Sequence, residues 1–317
     1  MKYFLHFTLL GVVVLAGCTG SGSQSSDGGG QGGSAGSLTE ARQGFKSKLV
    51  RRAAQRDPVD EPPENLFRVV RYDAAAGKLP AYLTPDPKDG KKHPAIIWIT
   101  GGDCNSIGDV WTGVPADDDQ TAGAYRKVGI VMMFPSLRGG NNNPGQKEGF
   151  LGEVDDVIAA ADFLAKQEYV DPARIYLGGH STGGTLVLLV AECSDRFRAV
   201  FSFGPADNVK DYPDEFLPFD TSSSREIEVR SPGRWLGSIK SPTFVFEGTK
   251  DGNLGSLNAM SRSSKNPKVQ FFPVNGATHF SILFPTNRII ATKILRDNGP
   301  ECKLNFTSVE LNKPFGK

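Results

Sequence analysis

Short apolar runs alternate with longer segments of helical periodicity over most of the chain from His93 onward. The clearest helical segment is residues 149–167, where Val154, Ile158 and Ala161 recur every three or four positions. Apolar strands that alternate with helices are typical of a mostly parallel sheet with both faces covered. The predicted strands are residues 94–100, 129–135, 174–179, 199–203, 243–247 and 269–273.

Two further β-rich segments come before this pattern, at residues 66–72 and 79–83. The turn-forming residues 75–78 lie between them, so the two segments predict an antiparallel hairpin at one edge of the sheet. We therefore expect an α/β fold with an eight-stranded, mostly parallel sheet and helices on both faces.

The N-terminal part of the chain follows a different pattern. Lys2 and the apolar run from Phe4 to Ala16, which is too short to span a bilayer, precede Cys18. This stretch resembles the lipobox of bacterial lipoproteins, and an ordinary secretory signal is the alternative. The resemblance implies that residues 1–17 are a signal peptide, that Cys18 carries a lipid anchor, and that the protein lies in the bacterial cell envelope. Thr19 favours the outer over the inner membrane.

Residues 18–37 are mostly glycine and serine, which predicts a flexible tether because such a segment buries little apolar surface. Residues 38–64 are predicted to form a basic helix, with Thr39 as its N-cap and Arg56 near its end, followed by a Pro-rich linker. We expect this helix to lie on the domain with its charges in solvent rather than to bind a membrane. Residues 65–317 are expected to form the main folded domain.

Charge and cysteine content limit the partners. The chain has 36 basic and 35 acidic residues, and a net charge of +1 provides no field to attract nucleic acid. Besides Cys18, the chain contains Cys104, Cys193 and Cys302, which allow at most one disulfide, with the pairing left open. None has the spacing of metal ligands, so no metal and no other cofactor is expected. No pattern indicates an oligomeric state.

The strongest candidate for chemistry is the sequence Gly179-His180-Ser181-Thr182-Gly183, which lies between a predicted strand and a helix-forming run. In that context, G-x-S-x-G is typical of a nucleophile elbow, where a sharp turn exposes a serine hydroxyl. Small residues two positions before and after the serine let the neighbouring backbones approach closely. Ser181 is therefore the candidate nucleophile.

A serine nucleophile needs a base with a pKa near neutrality, and histidine is the usual one. His180 lies inside the elbow and cannot fold back onto Ser181, while His93 opens a strand at the opposite end of the sheet. His279 follows the last predicted strand, where the third member of a Ser, acid, His order is expected. It is the candidate base.

Three acids are candidates for the partner of the imidazole. Asp251 is favoured, because it lies in a Gly-flanked turn just after the strand 243–247. Asp207, which follows the strand 199–203, is the alternative. Glu247 is placed third, because a residue still within a strand is expected to point to one face of the sheet.

An oxyanion hole needs two backbone N–H groups directed at the developing charge. One is expected from Thr182, the residue after the nucleophile. The other is expected from Gly102 or Asp103, in the Gly-Gly loop that follows the first parallel strand.

The remaining candidates concern substrate binding. Arg138 follows a strand at the active end of the sheet, where it either holds a substrate carboxylate or braces its loop, and bracing is favoured. Phe150 and Trp111 are candidates for lining a substrate pocket, although aromatic residues of a core have the same pattern. Residues 117–119 are three consecutive aspartates, which we expect in a solvated loop.

These candidates fall within a wider resemblance. Residues 65–298 resemble α/β-hydrolases, in particular the branch of the prolyl oligopeptidases and dienelactone hydrolases. Besides the elbow, the matching stretches are residues 97–102, 135–140, 152–156, 170–176, 248–251 and 276–279. The resemblance implies the α/β-hydrolase fold and a Ser-Asp-His triad, but no particular substrate. Two features depart from the family: Thr100 replaces the usual histidine of the oxyanion loop, and because the segment before residue 65 is short, we expect no β-propeller there.

We expect a lipid-anchored serine hydrolase that works through an acyl-enzyme, and a carboxylesterase for small or medium acyl substrates is the leading hypothesis. A serine peptidase or acyl-peptide hydrolase acting on short peptides is the enzymatic alternative. A non-catalytic envelope protein that uses the fold as a binding scaffold is the third hypothesis. The joint presence of Ser181, an acid, His279 and the Gly-Gly loop disfavours the scaffold.

Overall fold

The computed structural model describes residues 36–316. The predicted signal peptide, the lipidation site Cys18 and nearly all of the predicted tether lie outside the described residues. Within that range, no helix is both long and apolar enough to cross a bilayer.

One sheet of eight strands runs through the described part of the chain. The strands are β1 (Arg68–Ala74), β2 (Gly77–Leu83), β3 (His93–Ile99), β4 (Val131–Pro135), β5 (Val170–His180), β6 (Val200–Phe203), β7 (Thr243–Gly248) and β8 (Val269–Val274). Their order across the sheet is β1-β2-β4-β3-β5-β6-β7-β8. The antiparallel hairpin of β1 and β2 forms one edge, and β3 to β8 are parallel. The predicted fold class is therefore confirmed.

Helices cover both faces of the sheet. They are α1 (Leu38–Arg42), α2 (Glu153–Leu164), α3 (Thr182–Cys193), α4 (Ser224–Glu228), α5 (Leu254–Ser263), α6 (Leu283–Arg296) and α7 (Ser308–Asn312). The helices α2, α3 and α5 contribute to one core, and α6 and α7 to the other. Alternation along the strands divides the cores, because Ile97 faces the first core while Ile96 and Trp98 face the second.

The predicted helix between residues 38 and 56 is correct only at its start. It begins at Leu38 with Ser37, rather than Thr39, as the N-cap, and it ends at Arg42. A helix with one thin apolar stripe gains little from packing, so contacts with other segments decide the conformation of the rest.

Residues 43–56, which we term the strap, make backbone contacts with distant segments instead of with one another. The Val50 N–H donates to the Pro218 carbonyl (2.8 Å), and the Gln55 N–H donates to the Gly139 carbonyl (2.9 Å). The strap is therefore part of the folded domain surface.

The segment between β6 and β7, residues 204–242, is termed the cap. A buried ion pair within it, between Arg230 and Glu226, attaches the strap. Arg230 donates to the Ser47 hydroxyl (2.7 Å), while Glu226 accepts from that hydroxyl (3.0 Å) and from the Lys48 backbone N–H. Ser47 and Lys48 of the strap thus provide hydrogen bonds to a buried ion pair that water cannot reach.

Candidate active site

The elbow forms where β5 ends and α3 begins. Ser181, between them, has a φ of 55° and a ψ of −116°, in a region with positive φ that residues other than glycine rarely adopt. Its N–H donates to the Phe203 carbonyl (2.7 Å), and its own carbonyl accepts from the Thr185 N–H (2.9 Å). These two bonds hold the turn that presents the serine at the carboxyl end of the sheet.

Close packing explains the glycines of the elbow. A Cβ atom added at Gly183 would lie 2.3 Å from the carbonyl oxygen of Ile99, and one at Gly179 would lie 2.5 Å from that of Gly183. Because both distances are far inside van der Waals contact, α3 can approach β3 and β5 only if these positions lack side chains.

His279, in the loop after β8, has an acid partner other than the one predicted. Its Nδ1 atom lies 2.8 Å from Oε2 of Glu247, near the end of β7. The Asp251 carboxylate instead accepts a hydrogen bond from the backbone N–H of His279 (2.5 Å). The assignment of Asp251 as the partner of the imidazole is therefore wrong, and Glu247 occupies that position.

Two glycines make room for the pair of Glu247 and His279. Gly204 and Gly252 have positive φ angles of 56° and 75°. A Cβ atom at either position would lie 2.9 Å or less from both His279 Nδ1 and Glu247 Oε2. The alternation of side chains along a strand predicts that Glu247 points to one face of the sheet. It does not predict the space around Glu247 and His279, because the loops that follow β6 and β7 form this space.

The Glu247 carboxylate is fully buried, and backbone groups satisfy it. It accepts hydrogen bonds from the N–H groups of Gly248 (2.7 Å) and Asn253 (2.9 Å), in addition to its contact with His279. A buried charge requires such partners. The bonds also fix the orientation of the oxygen that faces the imidazole.

The alternative acid, Asp207, is not hydrogen-bonded to the imidazole of His279. It lies at the start of the cap, where its backbone carbonyl accepts from the Gly233 N–H (2.9 Å). Burial and the charge of Asp207 together raise the pKa of the nearby Asp211 carboxyl. Asp207 therefore belongs to the cap and not to residues 275–282, the loop between β8 and α6 that carries His279 and that we term the histidine loop.

The histidine loop lies against the elbow. The rings of His180 and His279 are 4.5 Å apart between centroids. Within residues 36–316, no hydrogen bond joins Ser181 Oγ to the imidazole, and His279 Nε2 has no protein partner. Contacts between a nucleophile and its base are often long without substrate and tighten in the Michaelis complex. Nε2 is the atom of His279 that is available to take a proton.

The segments that carry the predicted oxyanion donors are in contact beside the elbow. Thr182 opens α3, so its N–H has no partner within the helix, and its hydroxyl donates to the Gly102 carbonyl (2.8 Å). In the described range, the N–H groups of Gly102 and Asp103 also have no protein acceptor. The Asp103 carboxylate accepts from Lys147 and from Gln55 of the strap, at 2.6 Å each, which braces the Gly-Gly loop.

Arg138 braces its loop and is not placed to bind substrate. It is 8% exposed, and its guanidinium donates to Asp156 at 2.9 and 2.8 Å and to Glu148 at 2.6 Å. These two carboxylates engage the planar fork that a substrate carboxylate would need. Its candidacy as a substrate-binding residue is therefore contradicted.

The two aromatic candidates lie in different places. Phe150 is buried with its ring 5.5 Å from that of Tyr212, whose hydroxyl bonds to Thr185 of α3 (2.6 Å), so it belongs to the wall beside the elbow. Trp111 packs on Tyr82 of β2, with ring centroids 5.3 Å apart. Since β2 is three strands from β5 in the sheet, the structure does not bring Trp111 to the elbow.

The cysteines of the described range, Cys104, Cys193 and Cys302, are all free thiols. Burial raises the pKa of the Cys104 thiol, next to the oxyanion loop. Among residues 36–316, no group of three or more His, Cys, Asp or Glu side chains could hold a metal ion.

Fold and site together define a class of protein. A mostly parallel sheet of this order, with a serine elbow after β5, a carboxylate at the end of β7 and a histidine after β8, has the architecture of an α/β-hydrolase. Residues 119–263, somewhat less than half of the chain, match the model of the prolyl oligopeptidase family, Peptidase_S9.

Similar proteins are peptidases by name. The chain is 35% identical over 140 residues to prolyl oligopeptidase A of Amanita bisporigera, which covers 41% of this chain and 17% of that protein. It is 25% identical over 199 residues to dipeptidyl-peptidase 5 of Porphyromonas gingivalis, which covers 56% and 28%. The crystal structure of Porphyromonas gingivalis dipeptidyl peptidase 4 has a TM-score of 0.58 at 17% identity, covering 73% of this chain and 35% of that one. The chain thus spans 28% or less of the length of these two curated relatives.

Proposed function

We propose that this protein is a serine peptidase that hydrolyses short peptides or acyl-peptides through an acyl-enzyme. The observation that carries the proposal is the 2.8 Å pair of Glu247 and His279 beside Ser181 at the elbow. The family match and the names of the similar proteins support a peptidase more than the carboxylesterase that the sequence favoured. We therefore favour the serine peptidase, which was the alternative in the sequence analysis, over the carboxylesterase.

In the proposed reaction, Ser181 Oγ attacks the carbonyl carbon of the scissile bond while His279 Nε2 takes the hydroxyl proton. Glu247 keeps the proton on Nδ1 and stabilises the imidazolium that forms. The N–H groups of Thr182 and of the Gly-Gly loop receive the oxyanion, and each donor contributes about 3–4 kcal/mol to the transition state. His279 then protonates the leaving amine as the C–N bond breaks, and water hydrolyses the acyl-enzyme.

The surroundings of the elbow support a short substrate. The strap crosses this end of the sheet, where Gln55 is bonded to Asp103 and the Ala53 carbonyl accepts from the Lys147 N–H (2.9 Å). Earlier in the strap, the N–H groups of Val50 and Arg51 donate to the Pro218 carbonyl of the cap. A long polypeptide would have to displace these contacts, whereas a short peptide would not.

We also propose that a lipid on Cys18 holds the protein in the cell envelope, so that its substrates are peptides of that compartment. The lipobox-like sequence supports this location. Cys18→Ser is expected to move the protein from the membrane to the soluble fraction of cells. Unchanged membrane association of this variant would contradict the anchor.

A fluorophosphonate probe, which reacts with activated serines, tests the enzymatic proposal. The protein is expected to be labelled, Ser181→Ala is expected to remain unlabelled, and Ser256→Ala serves as a control that keeps its labelling. A folded wild-type protein that stays unlabelled would contradict the enzyme. Acyl-dipeptide anilides and acyl esters are then compared: anilide hydrolysis that Ser181→Ala abolishes supports the peptidase, while turnover of esters alone would restore the carboxylesterase.

A further inference from the structure

His180 combines deep burial with an incomplete set of hydrogen bonds. It is the last residue of β5 and is 1% exposed. Its Nε2 atom lies 3.1 Å from the carbonyl oxygen of His279, while its Nδ1 atom has no partner in residues 36–316. A Cβ atom added at Gly101 would lie 2.9 Å from that Nδ1, so the ring is enclosed on this side as well.

The contact with His279 determines the protonation of His180. A carbonyl oxygen only accepts hydrogen bonds, so Nε2 of His180 must carry a hydrogen. Burial, and then the neighbouring His279, lower the pKa of His180 well below its ordinary value, so the ring is neutral and Nδ1 is bare. An unpaired buried nitrogen costs free energy, and an apolar side chain at this position would avoid that cost. An apolar side chain would, however, also lose the bond from Nε2 to the His279 carbonyl, so this bond is what a histidine provides at position 180.

His279 itself is held at three points. Asp251 accepts from the His279 N–H, Glu247 accepts from the ring at Nδ1, and His180 donates to the His279 carbonyl. His180 also supports the side chains of the loop, with its ring 4.5 Å from that of His279 and 5.3 Å from that of Phe280. Among these anchors, only His180 belongs to the elbow that carries the nucleophile.

We propose that His180 is a positioning residue for the general base, which sets the distance between Ser181 and His279 by joining the elbow to the histidine loop. This inference rests on the proposed serine peptidase function. A misplacement of catalytic groups by about 1 Å can lower the rate by about 100-fold. Because His180 is neutral, the imidazolium at His279 forms without a second positive charge beside it.

Two amide substitutions test the role. Glutamine at position 180 carries its N–H₂ at about the reach of Nε2, whereas asparagine is one methylene shorter and cannot reach the His279 carbonyl. His180→Asn is expected to lower kcat on an anilide substrate by about 100-fold with little change in KM, and His180→Gln to restore most of the loss. Equal kcat values for the two folded variants would overturn the proposal. If thermal unfolding shows that His180→Asn is not folded, His180→Leu replaces it.

A second readout does not depend on turnover. The proton on Nδ1 of His279, held by Glu247, is expected to give a downfield proton resonance in the wild-type protein. This resonance should persist in His180→Gln and be broadened or lost in His180→Asn. Its persistence in both variants would contradict the positioning role, even if the wild-type protein hydrolysed no substrate. If the wild-type protein hydrolysed no substrate but the resonance still differed between His180→Gln and His180→Asn, only the proposed function would be contradicted.

Discussion

The elbow and the strap lie at the same end of the sheet but are stabilised by different kinds of contact. The elbow depends on backbone contacts: Ser181 keeps a positive φ, and α3 reaches β3 only because Gly183 has no side chain. The strap depends on segments that are distant in sequence, through backbone bonds such as that of Val50 to Pro218 and through the buried ion pair of the cap. A local pattern can predict the first kind of structure but not the second.

The largest effect on stability is expected where the strap depends on a buried charge. Arg230→Met leaves the Glu226 carboxylate buried without its ion partner, which should lower the free energy of unfolding by about 3–5 kcal/mol. Urea unfolding measures this loss. Adding Glu226→Leu should recover most of it, because the uncompensated charge is then gone.

Lys48→Met is the matched control for that pair. Lys48 forms an exposed ion pair with Asp220, and its loss should cost about 1 kcal/mol or less. If Arg230→Met were no more destabilising than Lys48→Met, the buried ion pair would not be what anchors the strap.

The elbow is tested by adding a single methyl group. Gly183→Ala forces a Cβ atom against the Ile99 carbonyl, and we expect a loss of about 1–3 kcal/mol in urea unfolding, together with reduced fluorophosphonate labelling. Gly255→Ala, in α5, has no atom within 4 Å of the added group and should be neutral or stabilising by about 0.5–1 kcal/mol. Similar stabilities for both variants would show that the elbow is not limited by packing.

Glu192, further along α3, is a buried carboxylate that destabilises this otherwise well-packed region when it is ionised. It is 3% exposed, and neither carboxylate oxygen has a partner in the described range. Burial raises its pKa well above the ordinary 4.5, so the folded state keeps a proton that the unfolded chain loses above that value. The contribution of Glu192 to the free energy of unfolding therefore falls as the pH rises from about 4.5.

Replacing Glu192 should therefore stabilise the protein most near neutral pH. Glu192→Leu is expected to raise the free energy of unfolding by about 1–3 kcal/mol at neutral pH and by less at about pH 4. Glu192→Gln keeps the shape of the side chain and cannot ionise. The gain in the free energy of unfolding from Glu192→Leu, measured relative to Glu192→Gln, should therefore be the same at both pH values. A gain from leucine over wild type that does not change with pH would contradict a titrating Glu192.

The smallest effect is expected at the end of the strap. Gln55→Leu removes one hydrogen bond to Asp103 in the oxyanion loop and should lower kcat by only about threefold, with stability within about 0.5 kcal/mol of wild type. Arg52→Leu, which alters an exposed strap residue without such a contact, should change neither quantity. An equal kcat for both variants would show that the strap does not act on the oxyanion loop.

The same comparison explains which features the sequence could predict. All eight strands were predicted because each is a short apolar or β-rich run of contiguous residues. The elbow was found because its G-x-S-x-G pattern is also contiguous, although the contact that requires Gly183 is with the distant Ile99. The strap was predicted as a helix because its partners lie far away in the chain. No local pattern records that Ser47 completes the bonding of Glu226.

Glu247 was underrated for a related reason. Strand alternation predicts which face a residue points to, but Glu247 lies next to the end of β7 at Gly248, where Gly204 and Gly252 open a space at the end of the sheet. One signal was present: a carboxylate in an otherwise apolar, buried strand needs a polar partner. That rule favours Glu247 over Asp251 as the acid partner of His279.

The most direct test of the account compares these two acids on one peptide anilide. Glu247→Gln keeps the shape but removes the charge that orients His279, so kcat should fall by about 10,000-fold, as expected for the acid of a serine triad. Asp251→Asn retains an oxygen for the His279 N–H and should lose about tenfold or less. A large loss in Asp251→Asn, with Glu247→Gln close to wild type, would contradict the central claim that Glu247 is the acid partner of His279.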